Sequence, residues 1–149
     1  MRTIVVGIGN PVLMDDCFGI KVAEQLNGIM ETRVLSTTGF DVIDALLGYE
    51  RAYIIDGVNT GGVKPGTIME LAPEDLMADL EFSGTHNLHL GAALHLGYRL
   101  FKGEMPREIK IFAVEVQDAV NFGMQCTPAV EAAITVVADR IKDLSGVSV

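Results

Sequence analysis

Cysteine is scarce in this chain. Cys17 and Cys126 are the two present in 149 residues, which excludes a disulfide-stapled secreted scaffold and suits a reducing cytosol. Positive charge is also short: 11 Lys and Arg stand against 20 Asp and Glu, a formal net charge of −9 with a sequence pI near 4.6. That sign opposes affinity gained by neutralising phosphates, so nucleic acid is not an expected partner. No apolar run approaches the roughly 20 residues of a bilayer span. The apolar stretch Thr3–Ile8 is short, glycine-broken and followed by no small-residue cleavage site; it reads as a strand rather than a signal peptide. A soluble, cytoplasmic protein without a membrane partner is expected. Repeats, linkers and charge blocks are missing too. With 49% hydrophobic and 21% charged residues, the composition excludes disorder. One domain over residues 1–149 is expected, long enough to bury about two thirds of its unfolded surface.

What is present is an alternation of β-branched runs with segments of helical period. Thr3–Ile8 predicts a first strand, and after a loop Phe18, Val22 and Leu26 share one face of a helix over Phe18–Leu26. Arg33–Ser36 reads as a second strand. Phe40, Ile43, Leu46 and Leu47 mark a second helix stopping near Gly48, and Ala52–Ile55 forms a third strand that ends in Asp56. The glycine-rich stretch from Gly57 to Gly66 holds no helical pattern, and a parallel crossover needs a dozen or more residues, so the next strand, Thr67–Leu71, is predicted antiparallel. Leu88–Leu100 is helical in pattern and Ile109–Glu115 is a fifth strand. Thr127-Pro128 then opens a last helix running to about Leu144. The first and third strands read as buried on both faces. The fold class is therefore α/β: a single-domain, three-layer α/β/α sandwich with a mostly parallel, mixed five-stranded sheet.

Ligands of open α/β sheets sit beyond the carboxyl ends of the strands, and three polar clusters fall there. Gly7-Ile8-Gly9-Asn10-Pro11 leads from the first strand to Asp15-Asp16; Asp56 ends the third; His86 lies at a helix start. Each has a plain structural reading. Gly7-x-Gly9 forms a tight turn and fails as a dinucleotide fingerprint because Val12 stands where the third glycine belongs. Asp15 and Asp16 cap a helix and oppose its dipole, Asp56 caps a turn, and His86 caps or sits on the surface. Together, two carboxylates and an imidazole form an oxygen, oxygen, nitrogen set suited to nickel or zinc, with open positions for water or a substrate group. His89, three residues on, offers either a fourth ligand or a surface position. Cys17 competes as a nucleophile with His86 as base, although the adjacent carboxylates disfavour a thiolate and point to a packed, inert cysteine. Cys126 is expected to pack.

The run Gly7-Ile8-Gly9-Asn10-Pro11-Val12-Leu13-Met14-Asp15-Asp16-Cys17-Phe18-Gly19, with Ile55-Asp56 and Thr85-His86-Asn87, resembles the hydrogenase maturation endopeptidases. The likeness spans nearly the whole chain. It includes the Pro65-Gly66-Thr67 turn and the Gly123-x-x-x-Thr127-Pro128-x-Val130-x-x-Ala133 segment. The resemblance implies a phosphorylase/hydrolase-like fold and an aspartyl-type protease acting on the precursor of a [NiFe] hydrogenase large subunit. It implies removal of a short C-terminal extension after nickel insertion. Asp16, Asp56 and His86 match the positions associated with nickel recognition and cleavage, the nickel being supplied by the substrate and no permanent cofactor being held. Two positions depart from the pattern: Cys17 stands where a small residue is usual, and Val116 where a proline is. Peptidyl-tRNA hydrolases share the Gly-Asn-Pro turn, but the paired aspartates and the acidic charge do not suit them. A non-catalytic metal- or nucleotide-binding module and a Cys17/His86 thiol hydrolase are the alternatives.

Overall fold

Five strands line up side by side in the computed structural model, which describes residues 2–36, 38–78 and 85–146, the side chains of 77, 78 and 85–89 excepted. They are β1 (Thr3–Ile8), β2 (Glu31–Leu35), β3 (Arg51–Val58), β4 (Ile68–Leu71) and β5 (Glu108–Glu115), in the spatial order β2-β1-β3-β5-β4. β1 pairs in parallel with β2 and β3, and β3 with β5, while β4 runs antiparallel to β5. The antiparallel edge follows from the short, helix-free connection after β3, as expected. α1 (Phe18–Leu26), α2 (Phe40–Leu46), α3 (Pro73–Ala78), α4 (Thr85–Leu100) and α5 (Pro128–Ser145) cover the sheet.

Two separate apolar clusters define the layers. On one face Ile4, Val6, Ile8, Ala52, Ile54 and Ile111 meet Val42 and Leu46 of α2, Leu76 of α3, and Leu90 and Leu94 of α4. On the other, Val5, Tyr53, Ile55, Phe112 and Val114 meet Val22 and Leu26 of α1 and Val130, Val137 and Ile141 of α5. Alternate residues of the same strands feed opposite clusters, which is the side-chain period of a sheet covered on both sides. α5 is built from end signals at both termini. Thr127 occupies the N-cap position with Pro128 inside the first turn, and Gly146 closes the helix in the left-handed conformation at φ +75°, where a Cβ is disfavoured.

The element bounds differ from the expectations in three instructive places. β2 begins at Glu31, two residues early, because it is an edge strand whose charged, exposed side chains hide the pattern. β3 continues past Asp56 to Val58, so Asp56 lies inside the strand, opposite Ala113 of β5, rather than at its end. α3 was not expected at all. It starts at Pro73 behind Ala72, whose N–H donates to Asp75 Oδ2 at 2.8 Å in the manner of a capping box, and it buries Leu76.

Glycines set how closely α1 can approach the sheet. A Cβ on Gly7 would lie 2.2 Å from the Gly19 carbonyl oxygen, and one on Gly19 would lie 2.4 Å from the Ile55 oxygen. Neither residue has a positive φ, so close backbone contact, and not turn conformation, is why glycine is needed there. The reading of Gly7-x-Gly9 as a tight turn is corrected accordingly.

Candidate active site

The sheet order changes direction at β1, which has β2 on one side and β3 on the other, and the crevice at their carboxyl ends is where such sheets bind ligands. Asp16 reaches it from a 3-10 helix, Met14–Cys17, that follows the β1 loop. The loop folds over this helix. Asn10 N–H donates to Asp16 Oδ2 at 3.0 Å, Asp16 N–H donates to the Leu13 carbonyl at 2.8 Å, and Val12 N–H donates to Asn10 Oδ1 at 3.1 Å. Gly9 makes the fit feasible, since a Cβ there would sit 1.9 Å from the Asp16 carbonyl oxygen.

Asp56 enters from β3 and is 2% exposed. Its Oδ1 accepts the Gly57 N–H at 2.8 Å, whereas its Oδ2 has no hydrogen-bond partner among the described residues. Burial, followed by the nearby charge of Asp16, pushes the Asp56 carboxyl well above the ordinary carboxylate range, and the Gly57 N–H opposes this only in part. The structure therefore brings Asp16 and Asp56 together as an electrostatically coupled pair, one fixed by a backbone amide and one buried with an oxygen to spare. Buried oxygens are nearly always satisfied, so an oxygen with no partner among the described residues is the unusual feature of this pair.

His86 lies in the first turn of α4. Its side chain and that of His89 fall outside the described residues. Among those that are described, no cluster of His, Cys, Asp or Glu has the form of a metal cage.

Asp15 does not cap α1, contrary to expectation. Fully buried, its carboxylate turns to the opposite side and takes N–H groups from Gln117 at 2.8 Å, Asp118 at 2.9 Å and Thr127 at 2.6 Å, together with the Thr127 hydroxyl at 2.8 and 2.9 Å. It ties the chain after β5 and the first turn of α5 to the segment carrying Asp16. Thr127 stands at the N-cap position, but its hydroxyl serves Asp15 rather than its own helix.

Cys17 is also buried, its sulfur 3.2 Å from that of Cys126, and both are free thiols. They lie in the layer of α1 and α5, while α4, which carries His86, packs on the other face through Leu90 and Leu94. Burial and the Cys17 thiol push the Cys126 thiol far up, and both sulfurs are buried, so neither position has the accessible setting of a nucleophilic cysteine.

Glu115 went unnoticed in the sequence. Buried at the end of β5, it accepts N–H groups from Thr60 at 3.0 Å and Gly61 at 3.1 Å and bonds the Thr60 hydroxyl, which fastens the chain leaving β3 close behind Asp56. An acid ending the apolar run Ile111–Val114 was the available signal. A hollow of about 360 Å³ beyond β2, lined by Thr38, Phe40, Ile43 and Ala93, was likewise not foreseen.

Comparison with known proteins agrees with this architecture. Residues 20–144 match the family model described as hydrogenase maturation protease. The chain is 27% identical over 148 residues to the hydrogenase 2 maturation protease of Escherichia coli K12, covering 95% of this chain and 88% of that one. It is 25% identical to the hydrogenase expression/formation protein HoxM of Azotobacter vinelandii, covering 92% and 72%. The solved structure of the [NiFe] hydrogenase maturation protease HybD from Thermococcus kodakarensis has the same fold, with a TM-score of 0.81 at 21% identity over 97% of this chain and 99% of that one. The hydrogenase maturating endopeptidase HybD from E. coli superposes with a TM-score of 0.79 at 24% identity, covering 98% and 94%. The mixed α/β sheet and a family match over most of the chain lead to one assignment: this protein is a protease of the hydrogenase maturation family.

Proposed function

We propose that this protease removes the C-terminal extension of a [NiFe] hydrogenase large-subunit precursor once nickel has been inserted, and that Asp16, Asp56 and His86 complete the coordination of the nickel the precursor carries. The supporting observation is the Asp56 Oδ2, buried and unpartnered among the described residues next to the negative charge of Asp16. Burial beside a second acid favours a proton on Asp56, and a divalent cation is the ligand that displaces it. Oxygen donors with an added imidazole suit a borderline metal such as nickel. The metal is part of the substrate on this reading, and the enzyme needs no permanent cofactor. Bound there, nickel supplies Lewis acidity beside the scissile bond. Asp16, held by the Asn10 N–H, would fix the geometry, and Asp56 would release its proton to solvent as the cation binds. The acidic chain has no use for nucleic acid, and its free thiols suit a cytoplasmic setting.

The test is processing of a purified precursor with and without nickel, followed by mass spectrometry. Only the loaded form should lose its tail. Equal cleavage of both overturns the role given to the metal.

A further inference from the structure

The chain between β5 and α5 displays apolar side chains that the core does not use. Val120 and Phe122 are each 84% exposed and Met124 is 73% exposed, three within five residues. Such side chains normally fold back to escape water, and here the backbone prevents it. Asp118 Oδ1 accepts the N–H groups of Val120 and Asn121, both at 3.0 Å, and Asp118 Oδ2 accepts the Asn121 side-chain amide at 2.7 Å. Gly123 N–H donates to the Val12 carbonyl at 2.9 Å, and Phe122 bridges to Leu13. A Cβ on Gly123 would lie 2.8 Å from Met14 Cγ, so the two loops are in tight contact. Asp15 N–H donates to the Asp118 carbonyl at 2.8 Å, which locks the exposed loop to the turn bearing Asp16.

We infer that Val120, Phe122 and Met124 form the docking surface for the precursor polypeptide, seating an apolar segment of it beside the Asp16–Asp56 pair. The inference rests on the processing function proposed above. The patch is continuous with the residues that must meet the precursor, because its backbone is bonded to the segment carrying Asp16. Its backbone is pre-ordered, which lowers the entropy lost on association. A second copy of this chain is the weaker occupant: three side chains fall short of the roughly 800 Å² per partner that a stable dimer buries, whereas a transient enzyme–substrate encounter needs less. Phe and Met are also residue types enriched at protein–protein contacts.

The test measures binding and cleavage of nickel-loaded precursor by wild type, by the triple variant Val120→Ser/Phe122→Ser/Met124→Ser, by Phe122→Ser alone, and by Val136→Ser, an exposed apolar position on α5 outside the patch. Exposed positions tolerate such changes, so the thermal midpoints should stay near that of wild type. The triple variant should bind precursor about tenfold more weakly, and Phe122→Ser a few-fold more weakly, in line with loss of aromatic anchors; Val136→Ser should bind as wild type does. Unchanged binding by the triple variant overturns the inference. So does a wild-type dimer that the triple variant splits without any loss of precursor binding, which would make the patch a self-association face. A wild type that binds precursor through these residues but never cuts it refutes the processing function and leaves the docking surface standing. A wild type that neither binds nor cuts overturns both.

Discussion

Asp15→Asn keeps the shape of the side chain and removes half of its accepting capacity. In the native protein Oδ1 faces the Thr127 N–H at 2.6 Å, and Oδ2 faces those of Gln117 and Asp118 at 2.8 and 2.9 Å. An amide has one carbonyl oxygen. Its better orientation leaves that oxygen on Gln117 and Asp118 and turns the NH2 group against Thr127 N–H, donor to donor. One buried N–H is then orphaned, at about 1–3 kcal/mol, and the two surviving bonds lose their charge assistance, at about 1 kcal/mol each. Relief from burying a charge offsets part of this. The net loss is about 2–4 kcal/mol, which lowers the thermal midpoint by roughly 4–16 °C in a chain of this length. A cap that only opposed a helix dipole would cost about 0.5–2 kcal/mol. Urea unfolding of both proteins at neutral pH, followed by far-ultraviolet circular dichroism, separates the two cases. A loss below about 1 kcal/mol at unchanged m-value would refute the role of Asp15 as an anchor between the two loops and α5.

Asp56→Asn should act in the opposite sense on stability. The folded protein raises the Asp56 pKa above its ordinary value of 3.8, so wild type loses stability as the pH climbs from that value through the raised one, and the amide variant does not. Thermal midpoints should converge in acid and separate in favour of the variant at about pH 8; parallel pH profiles would exclude a strained carboxyl. On the proposed mechanism, Asp16→Asn, Asp56→Asn and His86→Ala should each abolish processing of nickel-loaded precursor in a gel-shift assay, with double variants little worse than single ones. Three active single variants would remove the site. Cys17→Ala should retain most processing, and native alkylation should be slow because both thiols are buried; a dead but folded Cys17→Ala would revive the thiol reading.

Where burial and period coincide, the sequence was legible. β1, α1 and α5 agree with their expected spans because their apolar positions recur with a single period, and α5 is also bounded by Thr127-Pro128 and Gly146. The antiparallel fourth strand followed from the length of one connection. What could not be read depends on long-range partners. β2 is defined by pairing with β1 and not by its own polar side chains. The continuation of β3 through Asp56 is set by β5, which pairs with it residue by residue up to Val58. In the site, Asp16 was expected in the loop after the first strand and Asp56 at the end of the third; the structure has Asp16 in the 3-10 helix that follows β1 and Asp56 within β3. The role of Asp15 was not legible, since its partners lie more than 100 positions away and nothing local distinguishes it from Asp16.

That contrast shows how a fold gives like side chains unlike tasks. Asp15 meets backbone and hydroxyl donors on both oxygens, so its charge is satisfied in place and ties three segments together. Asp56, equally buried, meets one N–H and the charge of a second acid, and its Oδ2 has no hydrogen-bond partner among the described residues. The first arrangement gives both oxygens donors; the second leaves one oxygen without a partner among the described residues, where burial favours the neutral form. A chain selected for stability alone would replace Asp56 by a neutral residue, as the Asp56→Asn experiment does. Retaining the acid there carries a stability cost that makes sense if a positive charge comes and goes at that position, as it would on an enzyme that meets its metal anew on each substrate molecule.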